Sequence, residues 1–326
     1  MFTFLNDGKP PIFYIGEKPV YTTFKKNEKY RIKPFRNSGK YLDSDEFRER
    51  YDLTRNEAKE MKRALQSDIV PENKLKTKFY RIRRSLNNRL YTEIDLRGTD
   101  KTIEWRYPEK VTEWPGHAIT IASSGTGKTF KICAEIEKAL KRKKKRKFVF
   151  VSPQLNRDLT LKRLLNSKRF AKHFQGVDVG DEALKESEKD LESFWKDDIE
   201  KILLDQPEGT MIIIDDIKEA VVAPYLLRFL NKALRTFRHK KLGVHSVQHK
   251  IRGARFTSTS FSNVKFVTLF PRGGGRGSQV DFLNEVAGVT RRKARELIEI
   301  FSENRYMTLH SWAPNLIFGP KYASFL

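Results

Sequence analysis

Short apolar runs separated by amphipathic stretches dominate the chain beyond residue 115. The runs that predict strands are Ala118–Ala122, Phe148–Ser152, Met211–Ile214, Leu242–Val247 and Val264–Phe270. Runs of this kind are typical of parallel strands that are buried on both faces. Helical periodicity follows the first run as far as Leu140, and it recurs over Ala220–Arg238. The alternation predicts an α/β fold with a central, mainly parallel sheet.

Further elements are predicted on either side of these runs. The predicted strands are Tyr91–Leu96, Thr102–Trp105, Tyr306–Leu309 and Leu316–Phe318, and two helices over Val280–Ser302 turn at Gly288. The pattern divides the chain into a small α+β accessory domain, residues 1–85, and a larger domain, residues 86–326.

The accessory domain contains a predicted helix pair within Ser44–Gln66. Asp45 is the expected cap of its first helix and Thr54 the cap of its second. Two helices around a tight turn resemble a helix-turn-helix. The second helix would present a basic face, made of Arg55, Lys59, Lys62 and Arg63. DNA contact and an ordinary helical hairpin with a solvated face are both open interpretations.

The stretch ASSGTGKT, residues 122–129, lies between a predicted strand and a predicted helix. That context is the one a phosphate-binding loop requires. Glycines in the loop allow its backbone N–H groups to turn toward phosphate oxygens, Lys128 would reach the β- and γ-phosphates, and the Thr129 hydroxyl would bind Mg²⁺. Ala122 stands where the pattern has glycine. The predicted nucleotide-binding residues are Ser123, Ser124, Gly125, Thr126, Gly127, Lys128 and Thr129.

A second motif follows the run Met211–Ile214, which ends in Asp215 and Asp216. Open α/β sheets bind ligands at the carboxyl ends of their strands. Asp215 is therefore predicted to hold Mg²⁺ through water, and Asp216 to orient or deprotonate the attacking water. The alternative for Asp216 is a helix cap.

Gln248 ends the next apolar run. A polar side chain at the tip of that strand can sense the γ-phosphate or position water, as glutamine does in other phosphoryl-transfer sites. A surface glutamine in a loop is the alternative.

The charge of the chain indicates a polyanionic partner. Lys and Arg number 65 against 41 Asp and Glu, which gives a net charge of +24. Such an excess favours DNA or RNA binding. Lys141–Lys147 reads KRKKKRK and precedes a strand, at the edge opposite the nucleotide. DNA docking, a nuclear localisation signal and a solvated connection remain open for this run.

Other classes of protein fit the sequence poorly. We find no apolar segment long enough to span a membrane, and the N-terminus lacks the order of a signal peptide. The single cysteine, Cys133, excludes an internal disulfide and a cysteine-based zinc site. His245 and His249 flank a strand end, and no metal site is predicted there.

These motifs together resemble the genome-packaging ATPases of the FtsK–HerA superfamily, the poxvirus-like kind found in large DNA viruses and virophages. The resemblance covers residues 90–320, and Arg238-His239 followed by LGVHSVQ indicates this branch. The second motif of the superfamily is usually Asp-Glu and here is Asp-Asp. The matching segments are ASSGTGKT, FVFVSP at 148–153, MIIIDD at 211–216, Arg238-His239 with LGVHSVQ, and Gly319-Pro320.

The resemblance implies a P-loop NTPase of the ASCE, RecA-like class that uses ATP and Mg²⁺. It implies a ring-shaped homo-oligomer that drives double-stranded DNA into a preformed capsid, with capsid vertex proteins as partners. It also implies a location in the virus factory of the host cell or in the virion, without secretion and without a membrane.

In such a ring an arginine completes the neighbouring subunit's site. Arg238 is the first candidate, with Arg235, Arg252, Arg255 and Arg272 as alternatives. A helicase or translocase without a capsid role is the alternative function, and a non-catalytic DNA-binding protein with a degenerate phosphate loop is a third.

Overall fold

The computed structural model describes most of the chain in two compact units. One unit comprises Met1–Trp105 and Phe318–Phe325, and the other comprises Arg106–Ile317 and Leu326. This division lies later in the chain than the predicted boundary between residues 85 and 86. The assignment of residues 1–85 to an accessory domain and residues 86–326 to the P-loop NTPase domain stays a prediction. The described residues are 2–3, 11–22, 42–43, 45–67, 70–71, 75–82, 93–97, 99–108, 110–141, 146–249, 262–273, 275–312 and 315–326.

The first unit holds a small antiparallel sheet, a helical cluster and a separate strand pair. Its sheet has the order β1-β3-β2-β5, and β4 pairs antiparallel with β14. The bounds of its elements are β1 Phe2–Thr3, β2 Phe13–Ile15, β3 Lys18–Thr22, α1 Asp45–Tyr51, α2 Arg55–Ser67, α3 75–82, β4 Glu93–Asp95, β5 Ile103–Glu104 and β14 Tyr322–Phe325.

The helical cluster contains the predicted pair and a third helix. Phe47, Met61, Phe79 and Ile82 are fully buried in its core. Thr54 caps α2 as predicted, because Glu57 N–H donates to the Thr54 hydroxyl at 3.3 Å and Thr54 N–H donates to the Glu57 carboxylate at 2.7 Å. The prediction for α1 was wrong in detail, since Asp45 is the first helical residue and not the cap.

The second unit is an α/β layer structure around one sheet. Its elements are β6 Ala118–Ile121, α4 Lys128–Leu140, β7 Phe148–Ser152, α5 Leu159–Leu165, β8 Phe174–Asp178, α6 Asp181–Ser187, helical turns over 191–204, β9 Met211–Ile214, a 3₁₀ turn Ile217–Glu219, α7 Ala223–Thr236, β10 Gly243–Gln248, β11 Phe266–Leu269, α8 Arg276–Ala287, α9 Arg291–Ser302, β12 Met307–His310 and β13 Leu316–Phe318.

Strand order in this sheet confirms the predicted class. The sequence β12-β11-β6-β10-β9-β7-β8 places β10 between β6, which precedes the phosphate loop, and β9, which ends in the Asp pair. The strands from β11 to β8 pair in parallel, and β12 is antiparallel to β11. This order is that of a RecA-like P-loop fold.

The register of the sheet explains why its polar motifs meet. Gln248 of β10 lies opposite Ile121 of β6, and Ser246 lies opposite Ile214 of β9. The parallel strands therefore end at one edge, where residues after 121, 214 and 248 converge. The side chains of Met211–Ile214 are fully buried, as the apolar run predicts. Across the described residues we find no helix long and apolar enough to cross a bilayer.

Candidate nucleotide-binding site

The phosphate loop adopts a backbone that depends on two of its glycines. Gly125 and Gly127 have φ values of 75° and 87°, in the left-handed region, and Gly127 precedes the first turn of α4. Ala122 does not share this conformation. Its N–H donates to the Gln248 carbonyl at 3.0 Å and so extends the β6–β10 pairing. Alanine at the first position of the motif therefore introduces no strain.

Lys128 lies inside the loop and is only 6% exposed. Its Nζ donates to the Ser123 carbonyl at 3.1 Å. Burial lowers the pKa of the ammonium, and the carboxylates of Asp215 and Asp216 oppose that shift. A cation held here in a confined space favours an anion as its ligand.

The Thr129 hydroxyl and the Asp215 carboxylate meet at the base of the loop. Thr129 donates to Asp215 Oδ2 at 3.2 Å. Burial raises the pKa of Asp215 to about 7, with a further contribution from the charge of Asp216. The Oδ1 atom of Asp215 is buried and has no hydrogen-bond partner among the described residues.

This pair fits the Mg²⁺ that the motif implies. Magnesium prefers oxygen ligands and is usually held by one or two protein groups together with water and phosphate oxygens. A divalent cation beside Thr129 and Asp215 would supply a partner for the orphan Oδ1 and compensate the buried negative charge.

Asp216 is joined to a residue that the sequence did not single out for this site. His249 Nε2 hydrogen-bonds to Asp216 Oδ1, while His249 Nδ1 lies 3.3 Å from Lys128 Nζ and 3.1 Å from Ser124 Oγ. Asp216 has φ 50° and ψ 44°, a left-handed conformation that costs energy for any residue with a side chain. Its carboxylate makes no hydrogen bond that caps the following 3₁₀ turn, so the alternative role as a cap is wrong.

Gln248 lies at the expected strand end. Its side-chain amide donates to the Ser246 hydroxyl at 3.0 Å. Its backbone carbonyl accepts from Ala122, so the residue is tied to the start of the phosphate loop. The role of its side chain toward phosphate or water stays a prediction.

Two C-terminal segments also hold the phosphate loop. Ser123 N–H donates to the Gly273 carbonyl at 2.8 Å, within the segment between β11 and α8. The Arg305 guanidinium donates to the Thr126 carbonyl at 3.4 Å and lies 5.7 Å from the ring centre of Phe130. The sequence offered no motif for Arg305, which precedes β12 and reaches the loop through the antiparallel pairing of that strand with β11.

Arg238 lies away from the residues described so far. It follows α7 and precedes β10, at the amino edge of the parallel strands. Its guanidinium stacks 4.8 Å from the ring centre of Trp312 and 5.6 Å from that of Trp114. Arg238 therefore lies apart from Lys128 and the Asp pair of its own chain. A residue that acts on a neighbouring subunit's site would also lie apart from its own site. Its action in trans stays a prediction.

The alternative arginines differ in their contacts. Arg235 donates to the Asn231 carbonyl at 3.1 Å, and Arg272 donates to the Ser302 carbonyl at 2.7 Å. Arg252 and Arg255 lie outside the described residues.

Arg146, within the basic run 141–147, has a structural role. Arg146 is 3% exposed, and its guanidinium donates to the backbone carbonyls of Pro108, Lys110, Glu113 and Gly209. Arg146 is therefore not available to DNA or to a nuclear import receptor. Residues 142–145 lie outside the described residues.

Comparison with known proteins gives structural neighbours alone. No family model and no curated protein matches the chain. The genome packaging NTPase B204 of Sulfolobus turreted icosahedral virus 2, solved with AMP, is similar at 11% identity and a TM-score of 0.40, over 63% of this chain and 96% of that one. A viral genome-packaging NTPase is thus among the neighbours.

Two further solved structures give the same TM-score. The pCW3 conjugation coupling protein TcpA, solved with ATPγS, is 14% identical over 71% of this chain and 66% of that chain, with a TM-score of 0.40. The cytoplasmic domain of the Thermomonospora curvata type VII secretion ATPase EccC is 10% identical over 71% of this chain and 28% of that chain, also with a TM-score of 0.40. The fold assignment rests on the strand order described above.

Proposed function

We propose that this chain is a Mg²⁺-dependent ATPase that drives double-stranded DNA into a preformed viral capsid. The observation that carries the ATPase part is the convergence of Lys128, Thr129, Asp215 and Asp216 at the carboxyl edge of the sheet. Lys128 and the loop N–H groups would hold the phosphates, and Thr129 and Asp215 would hold the metal. The metal, when bound, neutralises charge on the β- and γ-phosphates. Asp216 would accept the proton of the attacking water or orient that water.

The charge of the chain supports a DNA substrate. A net charge of +24 favours binding to the phosphate backbone, which depends on charge and not on sequence. We propose a homo-oligomeric ring, which the sequence resemblance implies. The capsid role, with capsid vertex proteins as partners, and the location in a virus factory or virion rest on the sequence resemblance.

The decisive test of the ATPase is Lys128→Ala. We expect its turnover to fall by roughly 10²–10³ or more, because one lost charge-stabilising contact in a transition state costs about 3–4 kcal/mol. The measurement is phosphate release beside a thermal melt. Lys138→Ala, an exposed lysine on the same helix, is the matched control and should hydrolyse ATP at the wild-type rate. Wild-type turnover by a folded Lys128→Ala protein would show that the loop is not the active site.

Binding to duplex DNA separates a motor from an isolated ATPase. We expect hydrolysis to be stimulated by duplex DNA, and log affinity to fall linearly with log salt because bound counterions are released. Absence of any turnover with retained DNA binding would favour the non-catalytic alternative. A flat salt dependence, or strong preference for one sequence, would contradict backbone binding.

Capsid association distinguishes packaging from the helicase or translocase alternative. Infection with a virus that encodes the Lys128→Ala protein should yield capsids that lack a genome. Capsids with a normal genome content would leave the translocase alternative in place.

A further inference from the structure

His249 connects the phosphate loop to the candidate base. The imidazole lies just beyond the end of β10, with one ring nitrogen on Asp216 and the other facing Lys128 and Ser124. A carboxylate can accept hydrogen bonds only, and an ammonium can donate them only. The arrangement therefore assigns the ring proton to Nε2, which donates to Asp216, and leaves Nδ1 as the acceptor.

We propose that His249 is a positioning residue that aligns Asp216 for its role toward the attacking water. This inference rests on the proposed ATPase function. The Nε2–H group binds one carboxylate oxygen of Asp216 and leaves the other oxygen available to water. Asp216 has a left-handed backbone with φ 50°, which aspartate tolerates better than most residues with a side chain, and the contact with His249 fixes the orientation of its carboxylate.

The other side of the ring links this alignment to the nucleotide. Lys128 has three N–H donors, and Ser123 O accepts one of them at 3.1 Å. A second donor faces His249 Nδ1, which leaves a donor for a phosphate oxygen. A γ-phosphate bound by Lys128 would thus connect through the imidazole to Asp216, so the base would be held in place by the same lysine that holds the substrate.

The position of the ring is fixed by neighbouring elements. Its backbone follows Gln248, whose carbonyl is bound by Ala122, and Asp216 follows β9, the next strand in the sheet. The distance between residues 216 and 249 is therefore set by paired strands, which gives the contact a defined geometry. The His249 side chain is 36% exposed, so the ring is not sealed within the core.

The test compares His249→Ala with His249→Gln. The glutamine amide can replace Nε2–H as a donor to Asp216, whereas alanine cannot. We expect His249→Ala to lower kcat by about 10- to 100-fold, part of the 10²–10⁴ that a positioned base contributes, with nucleotide affinity within about twofold of wild type. His249→Gln should recover most of kcat. His239→Ala, an exposed histidine at the opposite edge, should retain wild-type kcat.

A double-mutant cycle tests whether the effect passes through Asp216. His249→Ala should add little to Asp216→Asn, because residues in contact are not additive. Wild-type kcat in folded His249→Ala protein, full additivity with Asp216→Asn, or a glutamine variant as slow as the alanine one would each overturn the proposal. Lys128→Ala is measured in the same series. If it keeps turnover, the proposed function fails; if it loses turnover while His249→Ala does not, this inference alone fails.

Discussion

The two edges of the sheet in the second unit use basic residues in opposite ways. At the carboxyl edge, Lys128 is buried beside two carboxylates, and one of them, Asp215, keeps an oxygen without a partner among the described residues. At the amino edge, Arg146 donates to four backbone carbonyls and Arg238 lies on two tryptophan rings. The carboxyl edge thus keeps a buried carboxylate oxygen to which a cation can bind, whereas the amino edge uses its two arginines in contacts within the fold.

The largest expected effect on turnover concerns Arg238 and would show whether the amino edge also takes part in catalysis. If it acts as an arginine finger, Arg238→Ala should lower turnover by about 10³–10⁵. If it acts through its tryptophan contacts alone, thermal stability should fall and turnover per folded molecule should not.

Mixed assemblies test the action in trans. Equal amounts of inactive Arg238→Ala and inactive Lys128→Ala protein should regain some activity, because one interface would then carry both intact residues. No recovery, with subunit exchange confirmed by a labelled subunit, would rule out a role for Arg238 at the neighbour's site.

The Asp pair gives the next effect in size. Asp216→Asn should bind nucleotide and lose about 10²–10⁴ in turnover, because the amide cannot accept a proton. Asp215→Ala should lose Mg²⁺-dependent activity, measured as the response of phosphate release to added Mg²⁺. Normal turnover by Asp216→Asn would move the role of the base to another residue, with Gln248 as the next candidate.

The amino edge is tested by stability. Arg146→Ala should lower the free energy of unfolding by about 2–5 kcal/mol, since four backbone carbonyls, that of Gly209 buried and the others partly buried, would lose a charged donor. Lys141→Ala is the matched control in the same basic run. Its side chain is 52% exposed and its ammonium pairs with Glu137 at 2.8 Å, so its loss should cost less than about 1 kcal/mol. Equal melting temperatures of the two variants would contradict the structural role of Arg146.

The smallest expected effect is a loss of folding stability at acid pH, caused by a residue at the same edge. Burial lowers the pKa of His117 to about 4, and the charge of Arg238 adds to the shift. The unfolded chain binds a proton there near pH 6.5 and the folded chain does not, so stability falls as the pH drops from 6.5 toward 4, by at most about 3 kcal/mol.

His117→Asn would test this by removing the titrating group. The asparagine oxygen can still accept the hydrogen bond that Val244 N–H donates to His117 Nδ1 at 3.1 Å. Chemical denaturation at pH 4.5 and 7 should therefore show a smaller difference for the variant than for the wild type. An unchanged difference would assign the acid sensitivity to other groups, such as His245.

The sequence predicted the strands that are apolar throughout. The runs at Phe148–Ser152 and Met211–Ile214 match β7 and β9 to the residue, because strands buried on both faces are apolar at nearly every position. The sequence analysis missed β8, with the sequence FQGVD. This strand lies at the edge of the sheet and pairs on one side only, so its residues are a mixture of polar and apolar types. The turn at Gly288 was predicted correctly, and φ is 67° there.

The site residues that the sequence predicted also differ from those that it missed. Lys128 and the Asp pair belong to local motifs, whereas His249 and Arg305 reach the loop only because the strands before or after them pair in the sheet. Arg146 was grouped with its basic neighbours because composition alone does not reveal which member of a run points inward. Contacts that depend on distant chain segments leave no spacing pattern in the sequence.

The bond from Arg305 to the Thr126 carbonyl spans 179 residues of chain. A ribosome that adds roughly 5–20 residues per second needs roughly 10–35 s to make that length after the phosphate loop has been synthesised. The loop therefore leaves the ribosome well before the segment that braces it, and the nucleotide site is completed only when the end of the second unit has folded. Nascent chains cut short before residue 305 would carry every residue of the motif ASSGTGKT and still lack this brace.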